Sequence, residues 1–172
     1  MNRQSMLLTL PHCPYFCFPE SVGHYVRHAG HDVSRKANAL NNFNIHYVVS
    51  GKGHVEIDGE AHELGPGDAV LYFPLQRQRY YSSGDDPWDV RWVHFYGDGL
   101  QEYMIRRGMH RSQLWSLRPS AEWEQAHEKL LAEAEAWRML RPHRLSALTY
   151  SLLAIFAEQA VPWTGNPSSA AA

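Results

Sequence analysis

The stretch from Phe43 to Phe95 constrains the fold more than any other part of the chain. It consists of short apolar segments, rich in β-branched and aromatic residues, that Gly, Pro and Asp interrupt at close intervals. Such segments predict short antiparallel strands, and a long meander of them closes into a barrel. Asp58 and Gly59 tolerate the positive φ angles of a type I′ turn, so they predict a two-residue hairpin. We therefore expect a mainly β protein with a barrel at its centre.

Strand alternation assigns the side chains of this region to two faces. Across a two-residue loop, Val55 faces His62 and Ile57 faces Glu60. Further strands are predicted at 45–50, 69–73, 78–82 and 89–95. The last strand divides into two alternating sets, namely Val90, Trp92 and His94 on one face and Arg91, Val93 and Phe95 on the other. One set is expected to line the barrel, and the other to face outward.

The order of short motifs along the meander carries a resemblance. The motifs are SGKG at 50–53, ELGPGD at 63–68, an apolar strand that ends at Pro74, and DPWDVRWVHFYG at 86–97. This order resembles the effector-binding and dimerisation domain of AraC-type (AraC/XylS) transcription regulators, over about residues 18–161. The resemblance implies a cupin-like (double-stranded β-helix) barrel followed by an antiparallel helical hairpin.

Length, charge and cysteine content exclude several classes of protein. The 172 residues are enough for one domain with a sizeable core. The formal net charge is −2 and the basic residues are scattered, so the basic patch of a nucleic-acid binder is missing. No apolar run approaches the length of a membrane span. We expect a cytoplasmic protein without a membrane partner, in which Cys13 and Cys17 are reduced.

Four segments are predicted along the chain. Residues 1–19 form an N-terminal arm, 20–97 the barrel, 98–161 a helical segment and 162–172 a linker. The apolar arm is interpreted as an edge strand or a cover for the barrel, while the resemblance keeps open a lid over the pocket. The resemblance also implies that the linker leads to a DNA-binding domain, which is absent from this chain.

The helical segment is predicted from its periodicity and its end signals. Asp98 is expected to cap a short helix that Gly108 ends, and Ser120 a second helix that reaches Trp137. Pro142 opens a third helix. The apolar stripe of this third helix comprises Leu145, Leu148, Leu152, Ile155 and Phe156, with Gln159 at its end. The resemblance implies a homodimer formed through these helices, and packing on the chain's own barrel alone is the alternative.

A metal site and an enzyme activity are both tested by residue spacing. His24, His28 and His31 do not share one strand face, so they are interpreted as surface histidines. The histidine and glutamate pattern of metal cupins is missing before Ile45 and after Pro74, and no activated nucleophile is evident. We therefore expect no enzyme activity, metal or cofactor. A cupin-fold enzyme, such as a metal-dependent sugar isomerase or dioxygenase, is the alternative.

The resemblance also implies the residues of a ligand site. In sugar-responsive regulators of this type, the residue matching Trp92 stacks on the sugar and the one matching Arg35 binds its hydroxyls. Gln78 and Tyr80 match two further contacts, and His94 shares the face of Trp92. The expected partner is a small-molecule effector, most plausibly a carbohydrate, and DNA is bound only through the missing domain. The alternative is that Trp92 fills the barrel and Arg35 is a surface charge.

Overall fold

The computed structural model describes residues 1–117, 121–136 and 141–165. Its elements in chain order are β1 (Arg3–Met6), β2 (Phe18–Tyr25), β3 (Asp32–Arg35), β4 (Phe43–Ser50), β5 (Gly53–Ile57), β6 (Glu60–Leu64), β7 (Asp68–Tyr72), β8 (Gln78–Ser82), β9 (Asp89–Tyr96), α1 (Leu100–Arg106), a 3₁₀ turn (Met109–Arg111), β10 (Leu114–Ser116), α2 (Ala121–Glu135), α3 (Pro142–Gln159) and β11 (Val161–Pro162).

Two antiparallel sheets build the barrel. The larger has the strand order β1-β2-β9-β4-β7-β10-β11, and the smaller has the order β3-β8-β5-β6. One apolar cluster joins their inner faces, with Val48 and Val70 from the larger sheet and Val55 and Tyr80 from the smaller. This architecture confirms the predicted fold class, a cupin-like barrel followed by helices.

The predicted hairpin forms with the predicted register. Val55 lies opposite His62, and Ile57 lies opposite Glu60. Asp58 and Gly59 have φ angles of 52° and 86°, as a type I′ turn requires. Local turn chemistry therefore fixes which side chains of β5 point into the barrel.

The larger sheet separates two apolar cores. Along β4, His46 and Val48 point into the barrel, whereas Ile45 and Tyr47 point outward toward the helices. The outer core includes Trp123 of α2 and the apolar stripe of α3. Because each large buried side chain contributes roughly 1.5–3 kcal/mol, this outer core holds the helices firmly on the sheet.

Helices α2 and α3 form the predicted antiparallel hairpin. Arg141 at the start of α3 binds Glu133 near the end of α2, and Gln159 at the end of α3 donates to Glu122 at the start of α2. Pro142 is the first residue of α3, as predicted. The predicted cap Ser120 and the predicted stripe residue Trp137 lie outside the described residues.

The predicted cap of the first helix is wrong. The residue before α1 is Gly99, with φ at 74°, and no side chain caps this helix. Glycine adopts this left-handed conformation without steric cost, so the backbone turns into the helix one residue later than a cap at Asp98 would allow. Gly108 follows the helix, also with positive φ, as expected.

The N-terminal arm contributes an edge strand. β1 pairs antiparallel with β2, and Gln4 lies opposite Gly23. Residues 3–6 of the arm therefore form an edge strand, as one interpretation of the sequence had it. The next strand, β2, already begins at Phe18, inside the range predicted for the arm.

Cys13 and Cys17 are both free thiols. Within the described ranges, no helix is long and apolar enough to cross a membrane.

Candidate functional site

A cavity of about 290 Å³ lies inside one end of the barrel. Strands β1, β2, β3, β4, β8 and β9 all contribute side chains to its wall. The predicted residues Arg35, Tyr80, Trp92 and His94 line it. Gln78 is buried beside them and lies opposite Arg35 across the β3–β8 ladder. Strand pairing therefore brings the five predicted site residues together, because each occupies an inward position of its strand.

Arg35 is fixed to the cavity wall by two neutral groups. Its Nη1 atom donates to Oε1 of Gln78 and to the hydroxyl of Tyr80, both at 2.9 Å. The guanidinium carbon also lies 6.0 Å from the centre of the Tyr80 ring. Arg35 is thus a half-buried cation in the wall of the cavity, and the alternative of an ordinary surface charge does not hold.

Trp92 lies among other rings on the cavity wall. Its ring centre is 5.5 Å from that of Tyr25 and 5.6 Å from that of His94. Gly23, opposite Trp92 on β2, leaves the space that the indole edge occupies. The indole Nε1 is buried and has no hydrogen-bond partner among the described residues. Since buried N–H groups are nearly always paired, this unpaired donor is an exception to the usual pattern.

Three histidine rings lie side by side in the same wall. The ring centre of His46 is 6.0 Å from that of His31 and 5.9 Å from that of His94. Burial, aided by the charge of Arg35, lowers the pKa of His94 to about 3. Burial and neighbouring His28 lower the pKa of His31 to about 4, and burial also lowers that of His46. These rings are therefore neutral at pH 7 and offer polar nitrogen atoms without charge.

The surface interpretation of the N-terminal histidines is wrong for His31. Its side chain is buried, and its Nδ1 accepts a hydrogen bond of 3.2 Å from Nε1 of Trp88. His24 is also largely covered and pairs with Asp89, whereas His28 is half-buried. Strand alternation does not relate positions 24 and 31, because the chain turns between β2 and β3. Among the described residues, no group of three or more His, Cys, Asp or Glu is arranged to hold a metal ion.

Sequence reasoning missed Tyr25, His31 and His46 as cavity residues. His46 could have been found, because alternation along β4 gives it the inward face that it shares with Val48. It lies opposite Trp92 in the β4–β9 ladder. The position of His31 was missed, because its burial depends on how the chain turns between β2 and β3.

A larger cavity of about 600 Å³ lies outside the barrel. It is a groove between the arm at 10–14, the start of β4 and the residues that lead into α1. We favour the inner cavity as the functional site, because a cation, neutral imidazoles and an unpartnered indole N–H converge there. Concave pockets with a few placed polar groups are typical of small-molecule sites.

The barrel and its inner cavity define a small-molecule-binding domain. A family model described as the AraC-like ligand binding domain matches residues 18–153 of this chain. The chain belongs to this family, which confirms the resemblance to AraC-type regulators drawn from the motif order.

Known proteins similar to this chain include one curated regulator. The MmsAB operon regulatory protein of Pseudomonas aeruginosa is 31% identical over 85 residues, which are 47% of this chain and 27% of that protein. The chain therefore spans less than a third of the relative that it matches. This relative is a regulatory protein by name.

Solved structures with a similar fold are more distant. A cupin protein from Bacteroides fragilis is 21% identical, with a TM-score of 0.38, and the match covers 55% of this chain and 86% of that one. A cupin conserved barrel domain protein from Salinispora arenicola is 16% identical, with a TM-score of 0.38, over 62% of this chain and 84% of that one.

Proposed function

We propose that the chain senses a small carbohydrate in the inner cavity of the barrel. The observation that carries this proposal is the convergence of Arg35, Tyr80, Trp92 and His94 on one cavity. An indole face accepts the C–H side of a sugar ring, and a guanidinium group donates several hydrogen bonds to hydroxyls. The cavity volume of about 290 Å³ suits a molecule the size of a monosaccharide rather than a drug-sized ligand.

The proposed signal leaves the cavity through strand β9. Nε2 of His127, on α2, lies 2.9 Å from the backbone carbonyl oxygen of Trp92. Because a carbonyl oxygen can only accept, the imidazole is the donor in this hydrogen bond. Its Nδ1 accepts from Arg91, at 3.1 Å, and Arg91 also binds Glu128. A ligand that moves the Trp92 backbone therefore acts on α2 directly. Effector binding would bias how α2 and α3 are held, which is a population shift rather than a new fold.

The remaining parts of the proposal concern the longer regulator. A homodimer through α2 and α3 would let two DNA-binding domains reach paired half-sites. DNA binding would be a property of a separate domain, and the protein would act in the cytoplasm. In support, the curated relative is several times longer than the segment that it shares with this chain.

A thermal-shift and calorimetry screen against neutral mono- and disaccharides tests the proposal. A sugar at a hundred times its dissociation constant stabilises the folded state by about 2.7 kcal/mol. Each kcal/mol raises the unfolding midpoint of a chain of this size by roughly 2–4 °C. The screen is run with and without EDTA, because a sugar-dependent rise that EDTA abolishes would favour a metal-dependent cupin enzyme.

Two neighbouring tyrosines provide the matched variants for this screen. Tyr80 accepts from Arg35 inside the cavity, whereas Tyr81 points to the opposite face of β8 and stacks on His54. Tyr80→Phe removes one hydroxyl from the cavity, and Tyr81→Phe removes the same group outside it. We expect the sugar response to weaken in Tyr80→Phe alone. An equal response in both variants would argue against the inner cavity as the binding site.

A further inference from the structure

The charge of Arg35 is not neutralised by the protein. Both of its hydrogen bonds go to uncharged acceptors, and no carboxylate of the described residues lies within ion-pair distance. By contrast, Arg79 on the outer face of the neighbouring strand pairs with Asp32. A half-buried guanidinium without a counter-ion is costly, and the cost falls when an anion binds beside it.

The charge of Arg35 acts on three imidazoles of the cavity. Burial is the main cause of the lowered pKa values of His31, His46 and His94, and the charge of Arg35 lowers them further. All three are neutral, so they add polar nitrogen atoms but no charge to the wall. The cavity therefore presents a positive site beside neutral aromatic rings, with the carboxylate of Glu20 elsewhere in its wall.

Glu20 is the acidic residue in the cavity wall, and its carboxylate is already engaged. Oε1 accepts from Nδ2 of Asn42 at 3.0 Å, and Oε2 accepts from the hydroxyl of Thr9 at 3.2 Å. These bonds tie Glu20 to the arm and to the loop before β4. It forms no ion pair with Arg35 in the described part of the chain.

Two residues at this cavity carry unpartnered donors. Nε1 of Trp92 and Nε2 of Gln78 are buried without acceptors among the described residues. Both groups can only donate. A ligand that matches them must bring acceptors, and a carboxylate brings two oxygen atoms with about four acceptor positions. A neutral sugar would leave the charge of Arg35 uncompensated.

We propose that the effector is a small hydroxylated carboxylate, such as a sugar acid, whose carboxylate pairs with Arg35. This inference rests on the proposed function, because it assigns a ligand class to the same cavity. The guanidinium fork matches a carboxylate in geometry and charge, and the remaining hydroxyls meet the neutral imidazoles and Tyr80.

Isothermal titration calorimetry with matched ligand pairs tests the inference. The pairs are D-galacturonate with D-galactose and D-glucuronate with D-glucose, titrated into the full chain at pH 7. The two members of each pair share the same sugar ring, and only the acid carries a carboxylate. We expect the acid to bind about tenfold more tightly or better, as a charge-assisted bond exceeds a neutral one.

Three arginine variants locate the source of that preference. Arg35→Gln should abolish the preference for the acid, and Arg35→Lys should retain part of it, because it keeps the charge but loses the fork. Arg79→Gln removes an arginine that faces away from the cavity and should retain the full preference. Thermal melts of each variant establish that it is folded.

The outcomes separate the inference from the proposed function. If the neutral sugars bind as tightly as their acids, the inference is overturned and carbohydrate sensing stands. A preference for acids that persists in Arg35→Gln overturns the inference as well. If neither acids nor neutral sugars bind, the carbohydrate assignment fails together with the inference.

Discussion

At the scale of single residues, Gly23 determines where Trp92 can lie. A Cβ atom at position 23 would overlap the indole of Trp92 and would approach the backbone oxygen of Arg3 to 2.9 Å. Gly23→Ala must therefore displace Trp92 or the edge strand. Overpacking of this kind costs about 1–3 kcal/mol. We expect a lower melting temperature together with weaker effector binding, measured by thermal shift and calorimetry.

Gly84→Ala is the matched control, because a Cβ there meets no atom within 4 Å and φ is not positive. It should leave both melting temperature and binding unchanged. If Gly23→Ala binds the effector as tightly as the unmodified chain does, then the position of the indole does not determine affinity. In that case Trp92 would be a core residue that fills the barrel, which is the alternative stated in the sequence analysis.

Buried neutral histidines predict that the protein loses stability in acid. The pKa of His127 is lowered to about 3 by burial and by the charge of Arg91, against the hydrogen bond to Trp92. His31 and His94 are shifted in the same direction. Because these pKa values are lower in the folded state, the unfolded state takes up more protons below about pH 6.5. Stability is therefore complete near neutral pH and falls as the pH decreases toward the folded values.

Thermal melts between pH 7 and pH 5 measure this loss. Each deeply buried histidine should contribute about 2 kcal/mol over that range, since one pKa unit corresponds to about 1.4 kcal/mol. The groups facing His127 are Arg91, Glu128, His24 and the Trp92 carbonyl. His127→Gln keeps a neutral donor and acceptor and should flatten the dependence on pH. His110→Gln, at an exposed position, should leave the slope unchanged, and an equal slope in all three proteins would contradict the prediction.

At the scale of elements, the edge strand β1 is held from two sides. Arg3 binds Glu128 at 2.7 Å and Glu135 at 2.6 Å, both on α2, while its backbone pairs with β2. Ser5 donates to the carbonyl of Ala134 on the same helix. Since Gln4 of β1 also lines the cavity, the bonds from Arg3 and Ser5 connect the cavity wall to α2.

Arg3→Ala should loosen this strand. The arginine side chain is 32% exposed, so solvent screening limits its contribution to about 1 kcal/mol. We expect faster hydrogen exchange in β1, weaker effector binding and little change in the rest of the barrel. Arg27→Ala removes an exposed ion pair with Asp86 and is the control. Unchanged exchange in β1 would show that the sheet ladder alone holds the arm.

The same elements show what the sequence could and could not predict. The meander was predictable because Asp58-Gly59, Pro74 and strand alternation are local signals. The short strands β10 and β11 were not, since two or three residues carry no period and depend on distant partners. Arg35 and Trp92 were reached through the resemblance. His31 was missed because its burial depends on a turn between two strands.

At the scale of the whole molecule, one sheet connects the cavity to the helices. On β9, Trp92 and His94 face the cavity, while Val93 and Phe95 belong to the outer core that α2 and α3 cover. A ligand that displaces this strand moves the side chains on both of its faces, because closely packed cores transmit such a displacement. The helices are therefore the part of the molecule best placed to report occupancy of the cavity.

The outer face of the helical hairpin is where we expect a second copy to bind. Most of the apolar stripe of α3 is buried on the chain's own barrel, but Leu148 and Ile155 remain half-buried. They lie with Glu122 and Lys129 of α2 around a groove of about 340 Å³. A self-complementary patch of this kind, apolar in the middle and charged at the rim, suits a two-fold dimer.

Sedimentation analysis of the purified chain should therefore find a dimer. Ile155→Lys places a charge in the middle of the patch and should shift the protein to monomer, with the barrel still folded by circular dichroism. Ile105→Lys, on the exposed side of α1, makes the same change elsewhere and should leave the dimer intact. If the unmodified chain is a monomer, or Ile155→Lys remains a dimer, then α2 and α3 serve only to cover the sheet. Signal transfer to DNA would then need a different surface.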